Sequence, residues 1–268
     1  MPIRCAVRTD PGKIRTKNED SFGLFPDASF YVVADGMGGH AGGEVASTLA
    51  IEVMRQSLLQ TEHEDLTPLV DSEGRVCIGC RRLYIAVQQA NSAVLAKSQQ
   101  SPNLVGMGTT VVALLFENRE TLASICHVGD SRVYHVRNGD IEQLTEDHSF
   151  VQQLYREGKI SAKEMKESPH RHMLTQAVGI NTLVHPALST TQPQVGDLFV
   201  LCSDGLHGLV KEEEILQTAT LHSANLQQAC DALVQLANDR GGPDNCTVIL
   251  LRYDNPSQDQ EGEERTLA

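Results

Sequence analysis

Between residues 109 and 144, four short apolar runs follow one another too closely for anything but turns to join them. They cover residues 109–116, 121–128, 132–136 and 141–144 and are rich in strand-forming side chains. The connections are Glu117-Asn118-Arg119-Glu120, Gly129-Asp130 and Asn138-Gly139-Asp140, and Asn-Gly between apolar runs is a strong hairpin signal. Parallel neighbours need a crossover of about a dozen residues or more, so these strands must be antiparallel, as a meander. A doubly wound parallel sheet is excluded.

A second stretch carries the chemistry. Phe30-Tyr31-Val32-Val33-Ala34 reads as a buried strand that stops at Asp35, and five glycines fall within residues 36–43. Glu44 then opens a helical pattern with Val45, Ala46, Leu49, Ala50, Val53 and Met54 on one face. Gly36-Met37-Gly38-Gly39-His40-Ala41 fits the dinucleotide pattern G-x-G-x-x-A. That motif needs a second parallel strand ending in an acid within about thirty residues. Here the helix gives way to Thr61-Glu62-His63-Glu64-Asp65, with no strand before about Val105, and no Gly-Lys-Ser/Thr follows for a Walker loop. What remains is a glycine-rich turn led by an acid, or a metal site where close backbone approach is allowed.

The rest of the chain fits one domain of the α+β class over residues 1–253. Residues 3–8 read as a strand, residues 62–73 as an acidic connection, and residues 81–97 as a helix with Ile85, Ala86, Ala90, Ala93 and Val94 inward. Residues 147–172 form a polar insertion with a short helix at 150–157. A strand at 197–202, a turn at Ser203-Asp204-Gly205, helices near 211–219 and 224–238, and a strand at 246–253 complete the pattern. Residues 254–268 are polar and acidic, the composition of a disordered tail.

Aspartates recur where apolar runs end. Asp35, Asp130, Asp204 and Asp244 each lie within a residue or two of glycine at such a boundary. A capped turn explains any one of them, but four at one edge would repel each other unless cations are held between them. The donors are all oxygens, which suits magnesium or manganese rather than zinc.

Composition removes other classes. The net charge of −13 argues against nucleic acid or an anionic membrane as partner. No apolar run approaches the roughly twenty residues of a membrane span, and the first residues lack a secretion signal's apolar core. Seven scattered cysteines read as thiols of a reducing compartment, so a cytoplasmic monomer is expected. Cys77-Ile78-Gly79-Cys80 has metal spacing but no second pair to complete a zinc site.

Six motifs now stand in one order: Arg15-x-x-x-Glu19-Asp20, Val33-Ala34-Asp35-Gly36-Met37-Gly38-Gly39, Met107-Gly108-Thr109-Thr110, His127-Val128-Gly129-Asp130-Ser131-Arg132, Ser203-Asp204-Gly205-Leu206 and Gly241-Gly242-x-Asp244-Asn245-x-Thr247-Val248. Together they resemble the metal-dependent serine/threonine protein phosphatases of type 2C, in their small stand-alone bacterial form. The resemblance covers residues 3–253 and implies a sandwich of two antiparallel sheets flanked by helices on both outer faces. It implies hydrolysis of phosphoserine and phosphothreonine in proteins at a centre of two Mn2+ or Mg2+ ions, with a third, weaker ion. Asp35 would bridge the two ions, the Gly36 carbonyl would join one, and Asp204 and Asp244 the other. Glu19 and Asp20 would hold metal-bound waters, and Asp130 with Asp204 the third ion. Arg15 would bind the phosphate and His40 protonate the leaving oxygen. The bridging water attacks phosphorus. The polar insertion matches the family's flap. Cys246 and His207 depart from the pattern and are expected to touch no ligand. Two other readings stay open: a phosphoesterase for small molecules on the same centre, and a non-catalytic phosphoprotein-binding module.

Overall fold

The computed structural model describes residues 3–38, 42–72, 74–117 and 122–254. In chain order, β1 (Ile3–Asp10), β2 (Asp20–Phe25) and β3 (Phe30–Met37) lead into α1 (Gly42–Gln60). A small hairpin of β4 (Leu69–Val70) and β5 (Val76–Cys77) precedes α2 (Ile78–Gln100). Next come β6 (Gly108–Thr109), β7 (Val111–Phe116), β8 (Ala123–Val128), β9 (Arg132–Arg137) and β10 (Asp140–Gln143). Two short helices, α3 (Phe150–Arg156) and α4 (Ala162–Glu167), lead to β11 (Ala187–Thr191) and β12 (Leu198–Cys202). The last described elements are α5 (Asp204–His207), α6 (Glu212–Leu221), α7 (Leu226–Asp239) and β13 (Cys246–Tyr253).

Two sheets carry the architecture. One has the order β1-β13-β12-β9-β10, the other β11-β8-β7-β3-β2 with β6 joined to β3, and the neighbours in both are antiparallel. The run at residues 30–34 is apolar throughout because both faces of β3 are covered. Tyr31 and Val33 enter the layer between the sheets, among Val112, Leu114, Phe199, Leu201, Ile249 and Leu251. Phe30, Val32 and Ala34 face the other way and pack with Ala50 and Met54 of α1 and Leu83 and Ala86 of α2. On the opposite side Val200, Cys202, Val248 and Leu250 pack with Ile215 of α6 and Leu233 of α7. Fully burying a side chain of Leu or Phe size is worth about 1.5–3 kcal/mol, so these three layers fix the frame. The expected sandwich with helices on both outer faces is present.

The meander needs one correction. β7 pairs with β8 and β9 with β10, but β8 and β9 belong to different sheets. Gly129-Asp130-Ser131 carries the chain across, and Gly129 adopts φ +102° with Thr110 where a side chain would stand. Asp130 therefore sits at a sheet-to-sheet crossing and not in a hairpin turn.

A second correction concerns Asp35. β3 does not stop at Ala34, because Gly36 and Met37 pair with Thr109 and Gly108 of β6. Asp35 lies inside a strand, directly opposite Asp20 of β2. Gly36 is required there: a Cβ would stand 2.1 Å from the Gly43 carbonyl oxygen at the start of α1.

Other elements escaped the sequence. β11 reads Ala-Leu-Ser-Thr-Thr and is an edge strand on β8, mostly half-buried, so it shows no apolar run. The acidic connection contains β4, whose partner β5 follows just beyond it, and Ser203-Asp204-Gly205 enters the short helix α5. The Cys77–Cys80 pair is a helix cap, with Cys77 Sγ accepting from the Cys80 N–H at 3.0 Å. All seven cysteines are free thiols. Among the described residues no helix is long and apolar enough to cross a membrane. The expected tail beyond Asp254 lies outside the described residues.

Candidate metal centre

Asp35 of β3, Asp130 of the β8–β9 crossing, Asp204 of α5 and Asp244 before β13 reach one cleft of about 530 Å3. Arg15, Glu19 and Gly36 also line it. The structure thus brings together residues far apart in the chain, because their strands end or begin along the same edge of the sandwich. Of the residues singled out from the sequence, Asp20 lies beneath this lining, and His40 falls outside the described residues.

Asp20 is anchored on one side only. Its Oδ2 accepts hydrogen bonds from Ser203 and Thr247, each at 2.7 Å, while its Oδ1 is buried without a partner. A buried carboxylate oxygen with no donor costs free energy unless a proton or a cation satisfies it. Burial, with Asp204 and Asp244 adding repulsion, pushes the Asp20 carboxyl up to about 7.

The other acids show the same strain. Burial, then the charges of Asp20, Asp204, Asp130 and Asp244, hold the Asp35 carboxyl well above the usual carboxylate range. Burial, then Asp204 and Asp147, push Asp130 up to about 7. Asp204 goes the other way: burial opposes its charge, but hydrogen bonds from His172 and Asp35 carry it below its ordinary value. Their neighbours thus push the two carboxyls in opposite directions, Asp35 toward the protonated form and Asp204 toward the ionised one. Backbone bonds hold the pair's frame, with Thr110 N–H donating to the Asp35 carbonyl at 2.8 Å and Thr110 Oγ1 accepting from Asp35 N–H at 3.0 Å.

Glu19 and Asp244 stand on the outer side. The Glu19 carboxylate accepts from the Gly43 N–H at the start of α1, and burial raises its carboxyl above the ordinary value. Arg15 donates to Asp244 Oδ2 at 2.8 Å, and half of its side-chain surface stays exposed. Asn245 ties this loop down: its Oδ1 accepts from Glu19 N–H, and its Nδ2 donates to the carbonyls of Pro11 and Lys17. Nothing local in the chain marks that clamp beyond the adjacency of Asp244 and Asn245.

Two histidines add contacts that the sequence did not forecast. His172, in the insertion, lies 3.5 Å from Asp204 Oδ2, which raises its pKa. His207 Nε2 stands 2.9 Å from the Asp130 carbonyl oxygen. The expectation that His207 touches none of the candidate ligands is therefore corrected: α5 turns it back under the crossing. Burial, then Arg132, bring its pKa down to about 4, so the ring is neutral and donates to that carbonyl. The insertion is closed at its root, where Ser149 and Leu174 form a β-bridge and Arg132 grips Asp147 through two bonds of 2.8 and 2.7 Å.

The donor set suits a hard divalent cation. It offers carboxylates and a backbone carbonyl, a buried oxygen without a partner and a cluster of like charges that cannot all ionise alone. Among the described residues no three acidic, histidine or cysteine side chains form a complete cage. Magnesium-type ions keep several waters and take one or two carboxylates, so an open arrangement is the expected one.

Comparison with known proteins agrees. The family model described as Protein phosphatase 2C matches residues 15–240. The serine/threonine protein phosphatase PstP of Mycobacterium tuberculosis is 38% identical over 250 residues, which cover 93% of this chain and 45% of that protein. The chain thus spans under half the length of that relative. The serine/threonine phosphatase stp of Listeria monocytogenes is 36% identical over 258 residues, covering 94% of this chain and 96% of its own. The crystal structure of the PstP catalytic domain in complex with two manganese ions superposes with a TM-score of 0.79 at 36% identity, covering 94% of this chain and 99% of that one. The chain belongs to the protein phosphatase 2C family.

Proposed function

We propose that the protein hydrolyses phosphoserine and phosphothreonine in protein substrates at a binuclear Mn2+ or Mg2+ centre. One observation carries the reading: carboxylates from four separate segments meet in one cleft with Arg15 at its edge. Asp35 and the Gly36 carbonyl, with Asp204 and Asp244, would hold two ions, and Glu19 and Asp20 would orient the waters around them. Asp130 with Asp204 would take a third, weaker ion. When bound, such ions supply an activated water and neutralise the charge that develops on the phosphoryl group.

The chain's own residues do the rest. Arg15 presents a planar fork of donors suited to a phosphate dianion. To do so it exchanges its partner, since without substrate its guanidinium rests on Asp244. Asn245 and the Gly43 N–H keep Glu19 in place, and Ser203 and Thr247 hold Asp20 through Oδ2, which leaves Oδ1 without a protein donor. A cytoplasmic monomer acting without nucleic acid or membrane accords with the acidic charge and the seven free thiols.

The deciding assay is phosphate release from a phosphothreonine peptide by chelated protein, before and after manganese is returned, beside nucleoside monophosphates. Release from the peptide that depends on manganese is the expected result. Preference for the nucleotides would favour a small-molecule phosphoesterase, and no release from either a binding module.

A further inference from the structure

The cleft has two unlike walls. Arg15, Glu19 and the aspartates make one, and Leu174, Ala177 and Ile180 contribute to the other. Ile180 keeps 40% of its surface exposed, and Leu174, in the same lining, is half-buried. A single exposed aliphatic residue needs no explanation. Here the apolar side chains share the lining of a cleft rich in charged and polar groups.

This wall is also rigid. Thr109 and Val178 exchange backbone bonds of 3.0 and 2.9 Å, which lock the segment against β6. Asn91 of α2 accepts from the Gly179 N–H at 2.7 Å and donates to the Asn181 carbonyl at 2.9 Å. Gly179 takes φ +89°, a conformation that other residues rarely adopt, and so turns Ile180 outward. The Ile180 side chain rests over Gly108, where a Cβ would stand 2.8 Å from its Cδ1. An apolar side chain whose flanking backbone is held by these four hydrogen bonds, two to β6 and two to the Asn91 side chain, is preorganised for contact.

We propose that Ile180, with Leu174 and Ala177 behind it, is a specificity-determining subsite for an aliphatic side chain next to the phosphorylated residue of the substrate. The inference rests on the phosphatase reading above. Its occupant follows from continuity: a phosphoryl group bound by Arg15 and by the ions that the carboxylates would hold places its own backbone in this cleft, and the neighbouring side chain then meets Ile180, Leu174 and Ala177 in the same lining. A pocket that recognises one aliphatic group discriminates by roughly tenfold or more.

The test uses the manganese-loaded protein and phosphothreonine peptides that differ at one position. A reference peptide carries glycine on both sides, and four others carry a single leucine at one of the two positions before or after the phosphothreonine. Wild type, Ile180→Asn and Ile180→Leu are compared by kcat/KM, and binding of the matching phosphonate peptides by fluorescence anisotropy reads affinity without turnover. Asparagine is chosen because it adds no charge to the carboxylate cleft. The expected result is that one leucine position is favoured about tenfold over the reference in wild type and in Ile180→Leu. In Ile180→Asn that preference falls to about one while the glycine peptide stays within about twofold of wild type. No favoured leucine position, or a preference that survives Ile180→Asn in both readouts, overturns the subsite alone. A glycine peptide that is never dephosphorylated overturns the phosphatase reading and the subsite with it.

Discussion

Asp20 and Asp35 stand directly opposite one another across β2 and β3, two acids in register on adjacent strands. Like charges at directly opposed positions destabilise a sheet, and both carboxyls are held above their ordinary pKa, each by burial first, with Asp204 and Asp244 adding repulsion at Asp20 and Asp20 adding it at Asp35. The pair is therefore a cost that the metal-free protein bears and a cation removes.

The sign of that cost gives a pH test. Asp20 and Asp130 hold protons up to about 7 in the folded protein, against an ordinary value of 3.8, so their favourable contribution is lost as pH rises through 7. Buried His127, His148 and His207, whose pKa values are lowered, act in the opposite sense, and their gain tapers off between about pH 6.5 and 7.5 as the unfolded-state imidazoles lose their protons. Metal-free protein should therefore lose thermal stability between about pH 7 and 8, where the aspartate loss outweighs the fading histidine gain, and saturating manganese should abolish or invert the slope. Asp20→Asn should flatten it without metal. A melting temperature that rises over this window without metal would refute the carboxylate account.

Asp35→Asn and Asp244→Asn should each lower kcat/KM by roughly a hundredfold or more, since several kcal/mol of charge stabilisation depend on the ions they would hold. Neither change opens a cavity, and Asp35→Asn should leave the metal-free protein as stable as wild type or more so. Circular dichroism with steady-state kinetics reads both. Near-normal turnover in either variant would remove that residue from the centre.

How much of this was legible follows from what a single sequence encodes. The acids were visible because each interrupts an apolar run beside glycine, a local pattern. The strand through Asp35 was misread because Gly36 resembles a turn, whereas it is there so that α1 can press on β3. The sheet change at Gly129-Asp130-Ser131 was invisible because a hairpin and a crossing need the same turn residues. Asn245, His172 and His207 act through partners 226, 32 and 77 residues away in sequence, and no periodicity reports contacts of that range.

Arg15→Ala should raise KM more than it lowers kcat, because a contact made to the phosphate in both ground and transition states is lost from both. The variant also frees Asp244 from its ion pair, so manganese affinity should hold or tighten. Titration calorimetry together with kinetics separates the two effects. An unchanged KM would show that Arg15 serves Asp244 and not the substrate.

Asp130→Ala should leave the tight manganese sites intact and lower the rate at limiting metal, as a residue serving only a third, weaker ion would. His207 meets the Asp130 backbone carbonyl and not its side chain, so the crossing should survive the substitution. Calorimetry showing every site abolished would make Asp130 structural instead.

The insertion at residues 147–172 is held at its root and little elsewhere. Of the side chains in α3 and α4 only Val151 is buried, while Phe150 and Tyr155 stay 39% and 44% exposed. Segments with so few apolar contacts open at low free-energy cost, and binding surfaces are often drawn from them. Arg171 and Lys166 line a groove of about 700 Å3 that shares Asp130 and Asp204 with the metal centre, and among the described residues neither forms a salt bridge. In a protein of net charge −13, two unpaired cations there face whatever lies beside the phosphorylated residue. Arg171→Ala should therefore reduce kcat/KM on a phosphoprotein by roughly fivefold, the scale of one exposed charge pair near 1 kcal/mol. The rate on a small aryl phosphate, which needs only the metal centre and Arg15, should stay within about twofold. Equal slowing on both substrates would mean that the insertion supports the catalytic centre and does not select partners.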